Sequence, residues 1–147
     1  TTAFAYDGVG NRTQRTDGSV ATNYTYGATS HQLLSANKPG LSRSFTTNGI
    51  GNITSWHGAD GVLNSFAYDA YTRPASHTRN GTTTTYTFDA LDQRVKKTAP
   101  NGASTRYVYA GQNRMLAEHS SASGQWTSYL WLGGTPVGLV KGNTLYW

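Results

Sequence analysis

Several residue groupings in this chain of 147 residues have types and spacings that could do chemistry. Asp89 and Asp92 are two carboxylates three residues apart, and glycoside hydrolysis needs two carboxyl groups flanking one bond. His57 with Asp60, and Glu118 with His119, could be read as acid–base dyads or metal ligands. The stretch FAYDGVGNRT, residues 4 to 13, places Gly8 and Gly10 where a phosphate-binding loop is conceivable. Trp56 and Trp126 offer flat rings on which a sugar could stack.

Most of these readings fail on spacing. The dinucleotide fingerprint needs a third glycine at the opening of a helix, and Asn11-Arg12-Thr13 supplies neither. No Gly-Lys pair followed by Ser or Thr occurs, which removes the Walker loop. Neither histidine pair has the His-Glu-x-x-His spacing of a zinc site. Asp89 lies at the same phase as Asp7 and Asp69, so it reads as a turn-maker first. No catalytic, cofactor-binding or metal-binding residue is assigned, and the chain is expected not to be an enzyme.

The elements that would position such residues are strands. Apolar residues make up 36% of the chain and charged residues only 13%, with 10 Tyr, 4 Trp and 4 Phe, so a thick core is not expected. Tyrosine and threonine suit strands, and the helix formers never gather at helical spacing. Cysteine is absent, which excludes disulfides and thiolate chemistry. No apolar run approaches the roughly 20 residues of a membrane-spanning helix. The net charge of +5 comes from 12 Lys and Arg against 7 Asp and Glu. These cations are strewn singly rather than clustered as a nucleic-acid footprint, so the partners expected are not nucleic acids. They make a solvated basic surface, with attraction to acidic polymers as the sharper alternative. The opening Thr1, in place of Met, points to a processed or excised segment.

Aromatic-x-aromatic pairs recur at Phe4/Tyr6, Tyr24/Tyr26, Phe66/Tyr68, Tyr86/Phe88, Tyr107/Tyr109 and Tyr129/Trp131, with a degenerate Phe45/Thr47 in the one gap. Their first members step by 20, 21, 21, 20, 21 and 22 residues. Each pair stands at i and i+2 on one face of a strand. A turn led by Asp or Asn follows, as in Asp7 to Asn11, Asn48 to Asn52, Asp69 to Arg73 and Asp89 to Gln93. A second strand then runs to a hairpin signal: Asp17-Gly18, Pro39-Gly40, Asp60-Gly61, Asn80-Gly81, Asn101-Gly102 or Ser123-Gly124. The expected fold is all-β, an antiparallel sheet of hairpins in about seven repeats of period 20 to 22 over residues 1–147. The repeat-defining residues are Tyr6, Asp7, Gly10, Tyr26, Tyr68, Asp69, Phe88, Asp89, Tyr109 and Trp131. Aromatics at equal phase are expected to stack into ladders between copies. Trp56 and Trp126 fall outside the pairs and are the candidates for an exposed glycan platform.

The phrases FAYDGVGNRT, FAYDAYTRPASH and YTFDALDQRVKK resemble the YD repeat of the rearrangement-hotspot (RHS) family. YVYAGQNRMLAE followed by YLWLGGTPVGLV resembles the last repeats of the RHS core. Copies two (YTYGATSHQ) and three (FTTNGIGN) depart from the pattern and are expected to be locally irregular. The resemblance implies a β-ribbon that spirals into a hollow shell around a toxic polypeptide in bacterial members, or serves adhesion in others. It implies a structural, secreted or cell-surface role as part of a larger protein. The partners it implies are further YD repeats or other copies of this chain along open sheet edges, an enclosed toxin, and glycans; no cofactor is implied. Self-cleavage in the family uses an Asp-Pro motif, and no Asp-Pro occurs in these residues, so that activity is not carried over.

Overall fold

The computed structural model describes residues 1–111 and 114–147. Residues 112–113, inside YVYAGQNRMLAE, lie outside the described residues. Every regular element among those described is a strand. The chain divides into two compact units, Thr1–Gly81 and Thr82–Trp147.

The first unit holds β1 (Thr2–Tyr6), β2 (Arg12–Asp17), β3 (Val20–Tyr26), β4 (Leu33–Lys38), β5 (Leu41–Thr47), β6 (Ile53–His57), β7 (Leu63–Tyr68) and β8 (Pro74–Arg79). The second holds β9 (Thr82–Phe88), β10 (Arg94–Thr98), β11 (Ser104–Ala110), β12 (Arg114–Ser120), β13 (Gln125–Leu132), β14 (Thr135–Lys141) and β15 (Thr144–Tyr146). Within each unit every strand pairs antiparallel with the next in sequence. Each unit is thus a meander of local hairpins, the low-contact-order way to build a sheet. The aromatic pairs lie at the ends of odd-numbered strands, or one residue short of them in β11 and β13, as their spacing predicts.

The Asp- and Asn-led turns close by one repeated set of bonds. The Asp7 carboxylate Oδ1 accepts from the amides of Val9 (3.1 Å) and Asn11 (2.8 Å), while Asp7 N–H donates to the Asn11 carbonyl (2.9 Å). Asn48, Asp69 and Asp89 make the same pair of side-chain bonds two and four residues on. The fourth turn position has positive φ at Gly10 (90°), Gly51 (90°), Thr72 (66°) and Asp92 (61°). Asp92 therefore occupies a backbone position that glycine fills elsewhere, which explains its proximity to Asp89. Copy three follows this pattern, contrary to expectation, because an amide oxygen accepts the same two bonds as a carboxylate. Copy two is irregular: Gly27 replaces the aspartate, and the loop closes by Gly27 N–H to the Gln32 carbonyl at 3.0 Å.

Gly61, Gly81 and Gly102 all take turn positions with positive φ, each after a strand. Asn80 and Gly81 are both left-handed, at 48° and 74°.

One device repeats that the pattern of residue types did not announce. In every odd-to-even hairpin the register shifts beside the second aromatic, leaving Thr13, Leu34, Thr54, Ala75, Val95, Leu116 and Val137 without a cross-strand partner. These β-bulges reverse the alternation, so residues three apart on the even strand share a face. Arg12 stands opposite Tyr6 and Arg15 opposite Phe4; likewise Ile53 is opposite Thr47 and Trp56 opposite Phe45.

No described hydrophobic side chain is fully buried; the least exposed described polar residues are Asn64 at 3% and Thr127 at 9%. A single sheet layer has no second layer to bury against, so stability rests on hairpin hydrogen bonds and side-chain pairs across strands.

Candidate functional site

The register gives the first unit two chemically different faces. One carries Phe4, Tyr6, Arg12, Arg15, Tyr24, Tyr26, Arg43, Phe45, Trp56, Phe66 and Tyr68, the aromatic face. The other is Ala, Ser, Thr, Asn and Gln, with His57 and Leu63, and its side chains bond to one another. Gln14 donates to Asn23 (2.9 Å), Thr25 and Ser35 hydroxyls meet at 2.7 Å, Thr46 and Ser55 at 2.7 Å, and Ser44 meets His57 Nδ1 at 3.0 Å.

On the aromatic face the second member of a pair ties its copy to the one before. Tyr26 Oη donates to the Arg12 carbonyl (3.0 Å), Tyr68 Oη to that of Ile53 (2.7 Å) and Tyr109 Oη to that of Arg94 (3.2 Å). Trp131 Nε1 donates in the same way to the Met115 carbonyl (2.9 Å). Each acceptor lies at the start of the preceding copy's second strand; Arg12, Ile53, Arg94 and Met115 are the residues opposite Tyr6, Thr47, Phe88 and Tyr109. Thr47, lacking a ring, bonds Gln32 Oε1 instead (3.1 Å).

The first members are not stacked on each other as the sequence suggested. Successive odd strands have an even strand between them, which sets the rings about 9.6 Å apart, beyond stacking range. Arginine from the even strand fills the gap. The Arg12 guanidinium lies 5.7 Å from the Phe4 centroid and 4.6 Å from that of Tyr24. Arg94 sits likewise between Tyr86 (5.7 Å) and Tyr107 (4.9 Å). Cation–π contacts of this kind contribute about 0.5–1 kcal/mol each at exposed sites.

The candidate chemical residues have local partners in the turns and on the faces of the sheet. Asp89 Oδ1 is engaged by the Leu91 and Gln93 amides. His57 stands on the neutral face, whereas Asp60 caps the Val62 amide and pairs with Arg79. Glu118 is opposite Tyr107 and Thr127, while its neighbour His119 points to the other face and packs at 4.9 Å on Trp126. Trp56 is half-buried with Arg43 over its ring at 5.9 Å, so it is less open than its place outside the pairs suggested; Trp126 is 49% exposed.

Three acids are held below the usual carboxylate range. Hydrogen bonding from the Asn11 side-chain amide is the largest cause at Asp7, and from the Thr2 hydroxyl at Asp17. At Asp69 desolvation pushes upward, but bonds from the Arg73 amide and guanidinium and the Tyr71 amide outweigh it. Desolvation, with the nearby Glu118 charge, raises the Tyr129 phenol. Two shallow grooves of about 450 and 410 Å³ flank His31, whose Nδ1 lies 2.7 Å from Asn11 Oδ1. The first is lined by Asp7, Asn11, Tyr24, Tyr26 and Ser30, the second by Leu33, Phe45 and Ile53.

Residues 75–104 match the RHS repeat family model. Among curated proteins none matches the chain by sequence. Among solved structures the fold is similar to a chain of the Photorhabdus luminescens Tc holotoxin pore, with TM-score 0.75 and 15% identity over 97% of this chain and 9% of that one. It is similar to a chain of the TcdB2–TccC3–Cdc42 structure at TM-score 0.76 and 14% identity, over 96% of this chain and 9% of that one. For TcdB2–TccC3 the values are 0.59 and 15%, over 94% and 8%. At these identities the likeness is one of fold, and the chain spans less than a tenth of the length of these relatives. The family match thus places an RHS repeat at residues 75–104, within a hairpin meander along which the YD phrase recurs at one phase.

Proposed function

We propose that the chain is a structural segment of a shell or sheath wall that encloses or presents a toxic polypeptide, and that it catalyses no reaction itself. The observation that carries this reading is the single-layer sheet, which among the described residues has no buried apolar core and in which Tyr26, Tyr68, Tyr109 and Trp131 tie their copies to the ones before. Such a sheet is a wall by construction: it extends by adding hairpins and presents two broad faces. The likeness to chains of Tc toxin structures supports it. In this reading the protein is secreted or at a cell surface, and the outer edges of the array pair with further YD repeats or with another copy, because an open strand edge recruits a strand. The test is protease protection in the parent polypeptide. The enclosed segment should resist trypsin under native conditions and become cleavable once the repeats are unfolded. Cleavage of that segment at the rate of an isolated peptide overturns the proposal.

A second reading, an extracellular adhesion or glycan-binding module, is favoured by exposed Trp126, which leans on His119. Soluble glycans should then quench tryptophan fluorescence in a saturable way, and Trp126→Ala should remove the effect. A flat titration discards this reading.

A further inference from the structure

Every Lys, Arg and Asp in the strands of residues 1–81 lies on the aromatic face: Arg12, Arg15, Asp17, Lys38, Arg43 and Arg79. Asp17 is held by Arg15 at 2.8 Å, and Arg79 is paired with Asp60. Arg12 and Arg43 differ. Each has its guanidinium over a ring, Arg12 4.6 Å from the Tyr24 centroid and Arg43 5.9 Å from that of Trp56, and its Nε is covered without a hydrogen bond. Among the described residues neither has a carboxylate partner. Between them stands Ala36, opposite Tyr24 on one side and Arg43 on the other. The small side chain leaves a dip between two cation–aromatic pairs.

We propose that this face of residues 1–81 docks an extended acidic polypeptide segment laid across the strands, with carboxylates on Arg12 and Arg43 and its backbone over Ala36. The inference rests on the enclosing role above and names the face and the chemistry that meet the enclosed chain. From β2 to β5 is three inter-strand steps, about 14 Å, which an extended chain covers in about four residues. A planar guanidinium matches a carboxylate, and its stack on a ring holds it in place at little further entropic cost. Polypeptide is favoured over acidic polysaccharide because the ring faces of Tyr24 and Trp56 that a sugar would stack on already carry guanidiniums. The neutral face, whose hydroxyls and amides bond each other, offers an acidic chain no cation.

The probe is a short fluorescent peptide with glutamate at every fourth position among serines, titrated into the intact chain by anisotropy. We expect saturable binding that weakens as salt is raised. It should fall about tenfold in Arg12→Gln/Arg43→Gln, and the Lys38→Gln control should bind as the unmodified chain does. Ala36→Glu keeps both arginines and should abolish binding by placing a like charge in the dip. Circular dichroism checks that each variant retains its strands. Absence of saturable binding, equal losses in Lys38→Gln and the arginine variant, or full binding by Ala36→Glu overturns the inference. Binding of polyglucuronate but not of the peptide overturns it too, in favour of a polysaccharide. Loss of these effects with protease protection intact removes this inference alone; loss of protection removes the enclosing role as well.

Discussion

The tyrosine tie between copies makes a sharp mutational prediction at Tyr68. Its hydroxyl donates to the Ile53 carbonyl at 2.7 Å, and its ring is half-buried on the aromatic face. Tyr68→Phe removes only the bond. A typical intramolecular hydrogen bond contributes about 0.5–1.5 kcal/mol net, and this carbonyl lies near enough to solvent to be rehydrated, so about 0.5–1 kcal/mol is expected. Tyr68→Ala removes the ring as well. Full burial would set that loss at about 3–5 kcal/mol, and half-burial brings it to about 2 kcal/mol. Tyr6 is the internal control: it stands at the same phase but is 61% exposed. Tyr6→Phe should therefore change nothing measurable. The assay is urea unfolding followed by circular dichroism and tryptophan fluorescence together, since repeat arrays need not unfold in one step. If Tyr68→Phe leaves the midpoint unmoved while Tyr6→Phe shifts it, the hydroxyl tie is not what joins the copies.

Thr72 holds φ at 66° where copies one and three use glycine, and a β-branched residue is strained there. Thr72→Gly should stabilise the chain by about 1 kcal/mol in the same unfolding assay, and destabilisation refutes the strain argument. Asp7 and Asp69 have depressed carboxyl pKa values, so their contribution is present above the unfolded value of about 3.9 and is lost as pH falls through the lower folded value. Asp69→Asn keeps the acceptor, as Asn48 shows, and should flatten the acid limb of the stability profile below about pH 4; an unchanged profile would clear Asp69 of any part in it. Asn64, 3% exposed, donates to the Val62 carbonyl and meets His77 Nε2 at 3.0 Å. Asn64→Ala should cost about 2 kcal/mol by leaving that buried pairing unmet, and a neutral outcome in thermal unfolding counts against it.

Much of this architecture was legible because each copy writes it out again. Asp7, Asn48, Asp69 and Asp89 announce their turns by type, since a side-chain oxygen one bond from the backbone can cap amides two and four residues on. The glycines of Asp-Gly and Asn-Gly announce the hairpins through their positive φ. The bulges at Thr13, Leu34, Thr54, Ala75, Val95, Leu116 and Val137 were not legible, because the bulged residue adopts a conformation open to any side chain. Missing them hid the face that Arg12 and Arg94 occupy, and so hid the guanidiniums between rings. With a bulge in place, Arg12 and Arg15 share a face, and ring–ring ladders give way to ring–guanidinium–ring ones. The pairings Asp89/Asp92 and Glu118/His119 have an equally local origin: the first spans a turn, and the second alternates across a strand.

Imaging the parent protein is the most direct test of whether these repeats form one wall of an enclosing structure. Electron cryomicroscopy should place the strands of residues 1–147 in a layer one sheet thick that borders a closed lumen. The aromatic face of residues 1–81 should turn toward density belonging to an enclosed chain. Repeats with both faces open to bulk solvent and no lumen beside them would contradict the account.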